Sequence, residues 1–462
     1  MSALDRANVA AIGDFASATR LADVPAGVVA FARLLLLDTL GALLGGLRHP
    51  PVRELARGLA ASGPSGALLV LGTAATWLDA DSGGSFHPQG HRLPPVPTAH
   101  PAPHCLPVLL LAAASGEVTD RRLLEVFLVA TEVGLRSGTA SSLRPGLHPH
   151  GVHGPSAAAL AATLLRGGSP EELGRAFLLG SALPVAATLA VPVHGGTVRN
   201  VWTGLGACHG ALAADLARDP AVDEGDAIGV HTALFDSAVC TDLSVEELVG
   251  GLGRRWRLLD SYLKPYACAR WIHPTLDAVQ LATAGSGTAA EDVLAVEVDT
   301  FAFAAGLTGL DIRSDMQARF SLPYCVATLL VDGTLDAGSF LPGQLARRSV
   351  AELAARVRVR ADDASSAALP VERPARVAVR LRDGRTLRAE VRNARGNPAS
   401  PLSGAEVEAK ARSNVADLVD PTLLDAVVRD VLHPRGGDTW STGLLARTVL
   451  GELVPASGGA QL

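Results

Sequence analysis

Residues 293–298 read Val293-Leu294-Ala295-Val296-Glu297-Val298, a β-branched run with near-alternating polarity that predicts a strand. It marks a change in the chain. Downstream, Val357-Arg358-Val359-Arg360 alternates strictly, and Arg376 to Leu381, Asp383-Gly384 and Thr386 to Val391 read as a hairpin with a glycine turn. Upstream the period is helical. Pro25 opens an apolar stripe through Val28, Phe31, Leu35 and Leu36 that ends at Gly45-Gly46. Ser169-Pro170-Glu171-Glu172 is a capping box with proline at the first helical position, and Ser244-Val245-Glu246-Glu247 repeats the box. Ala157 to Leu165 and Ala211 to Leu216 are Ala/Leu-rich helical stretches. After Asn397-Pro398 the helical pattern returns, with Ser403 and Glu406 in box positions and Asp420-Pro421 opening a further helix. The pattern predicts a mainly α protein with an α+β second domain. A large helical domain is built from residues 1–258 and 400–462, and a smaller α+β domain, residues 259–399, is inserted between them.

Composition bounds the function. Of 462 residues, 48% are hydrophobic, 19% charged and only 4% aromatic, with 48 glycines, so a large core is packed through small side chains. The net charge of −6 and the lack of a basic block argue against nucleic acid as a partner. The five cysteines, Cys105, Cys208, Cys240, Cys268 and Cys325, are scattered, and no two share Cys-x-x-Cys spacing. They read as reduced thiols in a cytoplasmic protein. The start, Met-Ser-Ala-Leu-Asp, has no signal-peptide pattern. Phe31 to Leu47 is apolar but carries Arg33 and Asp38, and Ala176 to Val193 is interrupted by Pro184 and Pro192. Both read as buried helices and not as membrane spans. Among 40 Lys+Arg only two are lysine, Lys264 and Lys410. Codon bias would produce this, and so would selection for lysine where a proton must be exchanged, since arginine stays charged.

The long Pro/His/Gly stretch from Ser82 to Pro107 reads as a functional loop. His87/His91 and His100/His104 have the four-residue offset of paired zinc ligands. Prolines 88, 94, 95, 97, 101 and 103 oppose a regular helix there, and no metal is expected. His148, His150 and His153 follow. Asp79-Ala80-Asp81 just upstream either tunes imidazoles or forms a turn with Ser82-Gly83-Gly84. Gly204, Gly206 and Gly210 resemble a phosphate loop, but helix continues through Leu216, so close helix packing explains them better. Lys264-Pro265-Tyr266-Ala267-Cys268, with His273 nearby, gathers several reactive types, although a buried thiol is the common fate of such a cysteine. Gln317 to Tyr324 places a tyrosine at a helix start.

The order of these segments resembles the MmgE/PrpD family, which includes 2-methylcitrate dehydratase, cis-aconitate decarboxylase and iminodisuccinate epimerase. The resemblance runs from about residue 20 to 455. It is carried by Leu34 to Gly41, Leu78-Asp79-Ala80-Asp81-Ser82, Thr98-Ala99-His100-Pro101, Gly146-Leu147-His148-Pro149, Lys264 to Cys268 with His273 and Asp277-Ala278, Arg319 to Tyr324, and Gly396-Asn397-Pro398 through Ser403. It implies a helical domain plus an α+β lid, a homodimer, no cofactor, and an active site between the domains. Asp79, His100, His148, Lys264 and Tyr324 fall at the family's active-site positions. Ser82 and Gly83 stand where the family has Asp and Thr, Arg199 where it has Lys, and Ala269 where the decarboxylase has His.

The resemblance implies a cofactor-independent lyase, 2-methylcitrate dehydratase-like, acting on a small di- or tricarboxylic acid. Removal of a proton next to a carboxylate needs a base near neutrality, which histidine supplies, and the enediolate needs cations or donors. In this expectation His100 is principal base or acid and Asp79 orients it. His148 and Tyr324 assist proton delivery. Lys264 and Arg199 hold carboxylates, with His273 and Cys268 also at the substrate. Epimerisation, decarboxylation and non-catalytic carboxylate binding are the alternatives inside the family, and a zinc hydrolase is the alternative outside it.

Overall fold

Helix Ala26–Leu47 is apolar on nearly every face, and all its residues from Leu35 to Leu47 are buried. A helix with no polar face must be enclosed, and here three neighbours enclose it: helix Gly63–Trp77, helix Gly404–Val415 and helix Pro421–Leu432. The computed structural model that shows this describes residues 4–84, 99–185, 187–219, 228, 239–415, 418–434 and 438–453. His87 and His91 lie outside the described residues. By length and composition Ala26–Leu47 and the helical stretch Pro50–Trp77 are long and apolar enough to cross a membrane, and 67% of the first is buried inside the protein.

The helical body is layered around helix Val198–Leu216, which lies between Gly63–Trp77 and Gly154–Leu165. Its glycines make these contacts possible. A Cβ on Gly204 would lie 2.3 Å from the Leu69 carbonyl oxygen, and one on Gly210 would lie 2.4 Å from Ala158 Cβ. The Gly204–Gly210 run is therefore a packing surface. The predicted capping at Ser169 is present in full, with the serine hydroxyl and Glu172 satisfying each other's backbone N–H.

The strands expected after residue 290 form a four-stranded sheet in the order Val357–Ala361, Val293–Thr300, Ala375–Leu381, Thr386–Val391. The first pair is parallel and the other two antiparallel. Val296 and Val298 pair with Val379 and Val377, placing four buried valines on one face. Helix His273–Thr283 covers the two strands of the hairpin. After the sheet, Gly404–Val415 and Pro421–Leu432 return to Ala26–Leu47, and Ser441–Leu453 reaches Ala102–Ala113.

Two details depart from expectation. His104 lies inside a regular helix, Ala102–Ala113, despite the prolines around it. Pro103 sits in the first turn, where a missing N–H costs nothing. A two-residue strand, Gly83–Gly84, pairs antiparallel with Ser261–Tyr262. This small ladder joins the start of the histidine-rich loop to the segment carrying Lys264.

Gly210→Ala tests the body's packing. In an exposed helix this change gains about 1 kcal/mol. Here we expect a loss of about 1–3 kcal/mol from overpacking, read as a lower denaturant midpoint with an unchanged slope.

Candidate active site

Helix Gly63–Trp77 closes with a tight turn in which the Asp79 N–H donates to Thr76 O (3.1 Å), and the carbonyls of Thr76, Leu78, Asp79 and Ala80 also accept side-chain donors. Four cationic side chains from four separate parts of the chain supply them. Arg199 Nη1 donates to Thr76 O (2.7 Å), Arg319 Nη1 to Leu78 O (2.8 Å), Lys264 Nζ to Asp79 O (2.7 Å) and Lys410 Nζ to Ala80 O (2.9 Å). Asp79 has φ +48°, alone among the described non-glycine residues in the left-handed region. Aspartate tolerates that region better than most residues. Lys264 thereby reaches both the Asp79 carbonyl and its carboxylate Oδ1 (3.0 Å), while Arg199 Nη2 meets the same Oδ1 at 2.5 Å.

Two residues on, Asp81 is fully buried. Its Oδ1 faces Arg199 (3.5 Å) and Lys264 (4.0 Å), and its Oδ2 lies 2.9 Å from His100 Nδ1 and 2.9 Å from His150 Nε2. Burial alone would raise the Asp81 carboxyl, but Lys264, Arg199, His150 and His100 together hold it well below the usual carboxylate range. Lys264 is the mirror case. Burial would lower its ammonium, yet Asp79 and Asp81 keep it raised, so Lys264 is a fixed charge and not a proton carrier.

His100 Nδ1 faces only acceptors, Asp81 Oδ2 and the Ser82 carbonyl at 2.8 Å. Its proton therefore sits on Nδ1, and the Nε2 lone pair points away, 3.5 Å from the Tyr262 hydroxyl. Gly83 makes this approach possible. A Cβ there would lie 2.7 Å from His100 Cε1 and 2.8 Å from Tyr262 Oη. Burial raises the Tyr262 phenol, keeping it neutral and able to donate. His150 Nδ1 lies 3.1 Å from His148 Nδ1, and their rings stack with centroids 4.7 Å apart. Burial, followed by the Arg199 guanidinium, drives both well below the usual histidine range. These groups border one cleft.

Comparison with known proteins follows this geometry. The MmgE/PrpD N-terminal domain model matches residues 10–223, and the MmgE/PrpD C-terminal domain model matches residues 266–433. The chain belongs to the MmgE/PrpD family. Its relatives include a cis-aconitate decarboxylase of Aspergillus terreus, 26% identical over 285 residues (56% of each chain). They also include a cis-aconitate decarboxylase-like protein oryM of Aspergillus oryzae, 29% identical over 285 residues, or 56% of this chain and 58% of the relative. The matched region thus spans little more than half the length of these curated relatives.

In this MmgE/PrpD protein, Asp79, His100, His148, Arg199 and Lys264 all line the one cleft. Three other sequence candidates stand apart from it. The Tyr324 hydroxyl donates to the Gln344 carbonyl (3.2 Å), and its ring lies beside Phe340. His273 Nε2 is held by the Cys268 carbonyl at 3.1 Å. Cys268 is fully buried, and burial pushes its thiol well up, so it is no nucleophile. The orienting carboxylate of His100 is Asp81, whereas Asp79 is occupied by Arg199 and Lys264. In the sequence Asp81 and His150 stand out only as members of their clusters, and Tyr262, Arg270 and Arg373 do not stand out. For Tyr262 a signal existed: in an extended segment, positions 262 and 264 share a face.

Asp81, His100 and His150 could together offer a metal three ligand atoms. Both imidazoles instead lie at hydrogen-bond distance from one oxygen, with Arg199 and Lys264 at the other. A dication would displace those protons and sit beside two positive charges, so the set fits a proton network better.

Burial holds His49 at about 3 and His104 at about 4, and holds His148, His150 and His273 well below the usual range. In the unfolded chain histidines titrate near 6.5. Below about 6.5 the unfolded state therefore binds protons that the native state refuses. Stability should be full above that value and fall as pH drops from about 6.5 toward about 4 and 3, the values of His104 and His49, a loss that begins ahead of the carboxylates. A denaturation midpoint that is flat across this window would contradict neutral burial of these rings.

Proposed function

We propose that this protein is a lyase that removes a proton α to a carboxylate of a small carboxylic acid, with dehydration of a hydroxy acid as the leading reaction. The observation that supports it is the Asp81–His100 pair, whose free Nε2 faces the cleft 3.5 Å from a neutral tyrosine hydroxyl. A carboxylate that fixes the imidazole tautomer and stabilises the imidazolium is the arrangement a general base requires.

In this reading His100 Nε2 takes the proton from the carbon next to the carboxylate. Lys264 has three N–H donors and gives two to Asp79. The third stabilises the enediolate at fixed positive charge. Tyr262 O–H protonates the leaving β-hydroxyl, which departs as water as the double bond forms. The proton on His100 Nε2 then crosses to the tyrosine oxygen and restores both groups. His148 and His150, kept neutral, extend the network that orients Asp81.

Decarboxylation is the second reading, favoured by the names of the relatives. There carbon dioxide leaves in place of the α-proton, the C–C bonding pair stays on carbon as the carbanion, and the Tyr262 O–H protonates that carbon and regains its proton from solvent.

Proton NMR in D2O separates these readings. Dehydration gives a new vinyl signal with retention of carbon, and decarboxylation gives loss of CO2 with a deuteron on the carbon that it leaves. Epimerisation gives deuterium uptake alone. We expect His100→Gln to lower turnover by about 10²–10⁴-fold. Tyr262→Phe should block elimination while leaving deuterium uptake at the α-carbon. Full turnover by His100→Gln would overturn the assignment.

A further inference from the structure

The floor of the cleft balances its own charge. Asp79 and Asp81 compensate Arg199 and Lys264 at distances from 2.5 to 4.0 Å. Little of that positive charge is left for a highly charged substrate. Two further guanidiniums, Arg270 and Arg373, border the same cleft on the side of the sheet. Arg270 lies 3.6 Å above the Tyr262 ring and donates to Asn397 Oδ1 at 2.6 Å. Among the described residues no carboxylate pairs with Arg373, and its neighbour Glu372 pairs with Arg392. Burial, followed by the nearby Arg373, lowers Arg270 to about 9. Two guanidiniums that border one cleft can share a carboxylate through charge-assisted N–H···O bonds.

The rest of the wall is apolar. Trp271 and Phe303 meet with ring centroids 4.5 Å apart, and Phe320 lies 6.4 Å from Trp271. Phe301, Leu369 and Pro370 continue the surface. Phe303 is 38% exposed where it borders the cleft, so its ring is open to a bound apolar group. A compact tricarboxylate would turn a charged group toward this wall and lose its hydration without a partner.

We infer that the substrate carries an apolar arm, alkyl or aryl, seated on Trp271 and Phe303, with one carboxylate on Arg270 and Arg373. This narrows the substrate class of the site assigned above and rests on that reading. The Tyr262 ring sets the geometry. Its hydroxyl faces His100 and its face carries Arg270, so the bound carboxylate lies one ring's breadth from the base. That places the adjacent carbon at His100 Nε2 and leaves its other substituent toward the aromatic wall.

The test uses the full chain with succinate, malate, citrate, 2-benzylsuccinate and 2-benzylmalate. Binding is read by calorimetry, and α-deuterium uptake and vinyl signals by proton NMR in D2O. We expect the benzyl acids to bind at least tenfold more tightly than their parent acids and to exchange faster. Phe303→Ala should bring the ratio of benzylsuccinate to succinate affinity toward 1, and Arg373→Gln should weaken every acid by at least fivefold. Circular dichroism and the thermal midpoint establish that both variants fold. Citrate or malate binding as tightly as the benzyl acids would overturn the inference, as would an unchanged ratio in Phe303→Ala. Tight, Phe303-dependent binding of benzyl acids without exchange would support it and sink the role given to His100. Absence of both binding and exchange would overturn both.

Discussion

The end of one helix, Gly63–Trp77, is the point to which the rest of the molecule is tied. The carbonyls of Thr76, Leu78, Asp79 and Ala80 are each held by a cation, and the four cations come from positions 199, 319, 264 and 410. A helix C-terminus carries a partial negative charge, so the positive side chains are favoured there before any carboxylate is considered. Asp79 and Asp81 then add full negative charges, which makes burial of so many ions tolerable. Such a cluster is costly to break, because removing one partner leaves another charge buried and uncompensated. It gives little net stability. It fixes geometry, and the proton-transfer groups take their positions from it.

Those groups form a chain in which one carboxylate joins two rings and a third ring follows: His100, Asp81, His150, His148. Asp81 is anchored on one oxygen by cations and on the other by imidazoles, so it cannot rotate without losing both. The His100 tautomer follows from this anchoring. Low dielectric around the chain strengthens every member that is satisfied, and neutral histidines avoid the cost of extra buried charge.

The sequence carried the fold where periodicity and caps were strong. The switch near Val293, the hairpin at Asp383-Gly384 and the return of helix after Asn397 all stand in the structure. The proline-rich loop misled at His104, because prolines in a first turn do not stop a helix. At the site, motif order brought Asp79, His100, His148, Arg199 and Lys264 to one cleft. It also named Tyr324, His273 and Cys268, which lie behind the cleft and bond to backbone carbonyls or are fully buried. Which of two aspartates meets an imidazole depends on a single left-handed residue, φ +48° at Asp79, and no pattern of residue types encodes that. The partnership of Tyr262 with His100 arises from a two-residue ladder at Gly83–Gly84, too short for periodicity to reveal.

Lys410 has a consequence for how the protein is made. Its ammonium is 2.7 Å from the buried Asp38 carboxylate and 2.9 Å from the Ala80 carbonyl, yet more than 300 residues separate it from either in the sequence. Synthesis proceeds from the N-terminus, so the helices that surround Asp38 are made long before its counter-ion. Until helix Gly404–Val415 leaves the ribosome and docks, a carboxylate in the core stays unpaired and the segment beside His100 lacks one of its four ties. The nascent chain is therefore without a finished site until helix Gly404–Val415 has been made and has docked.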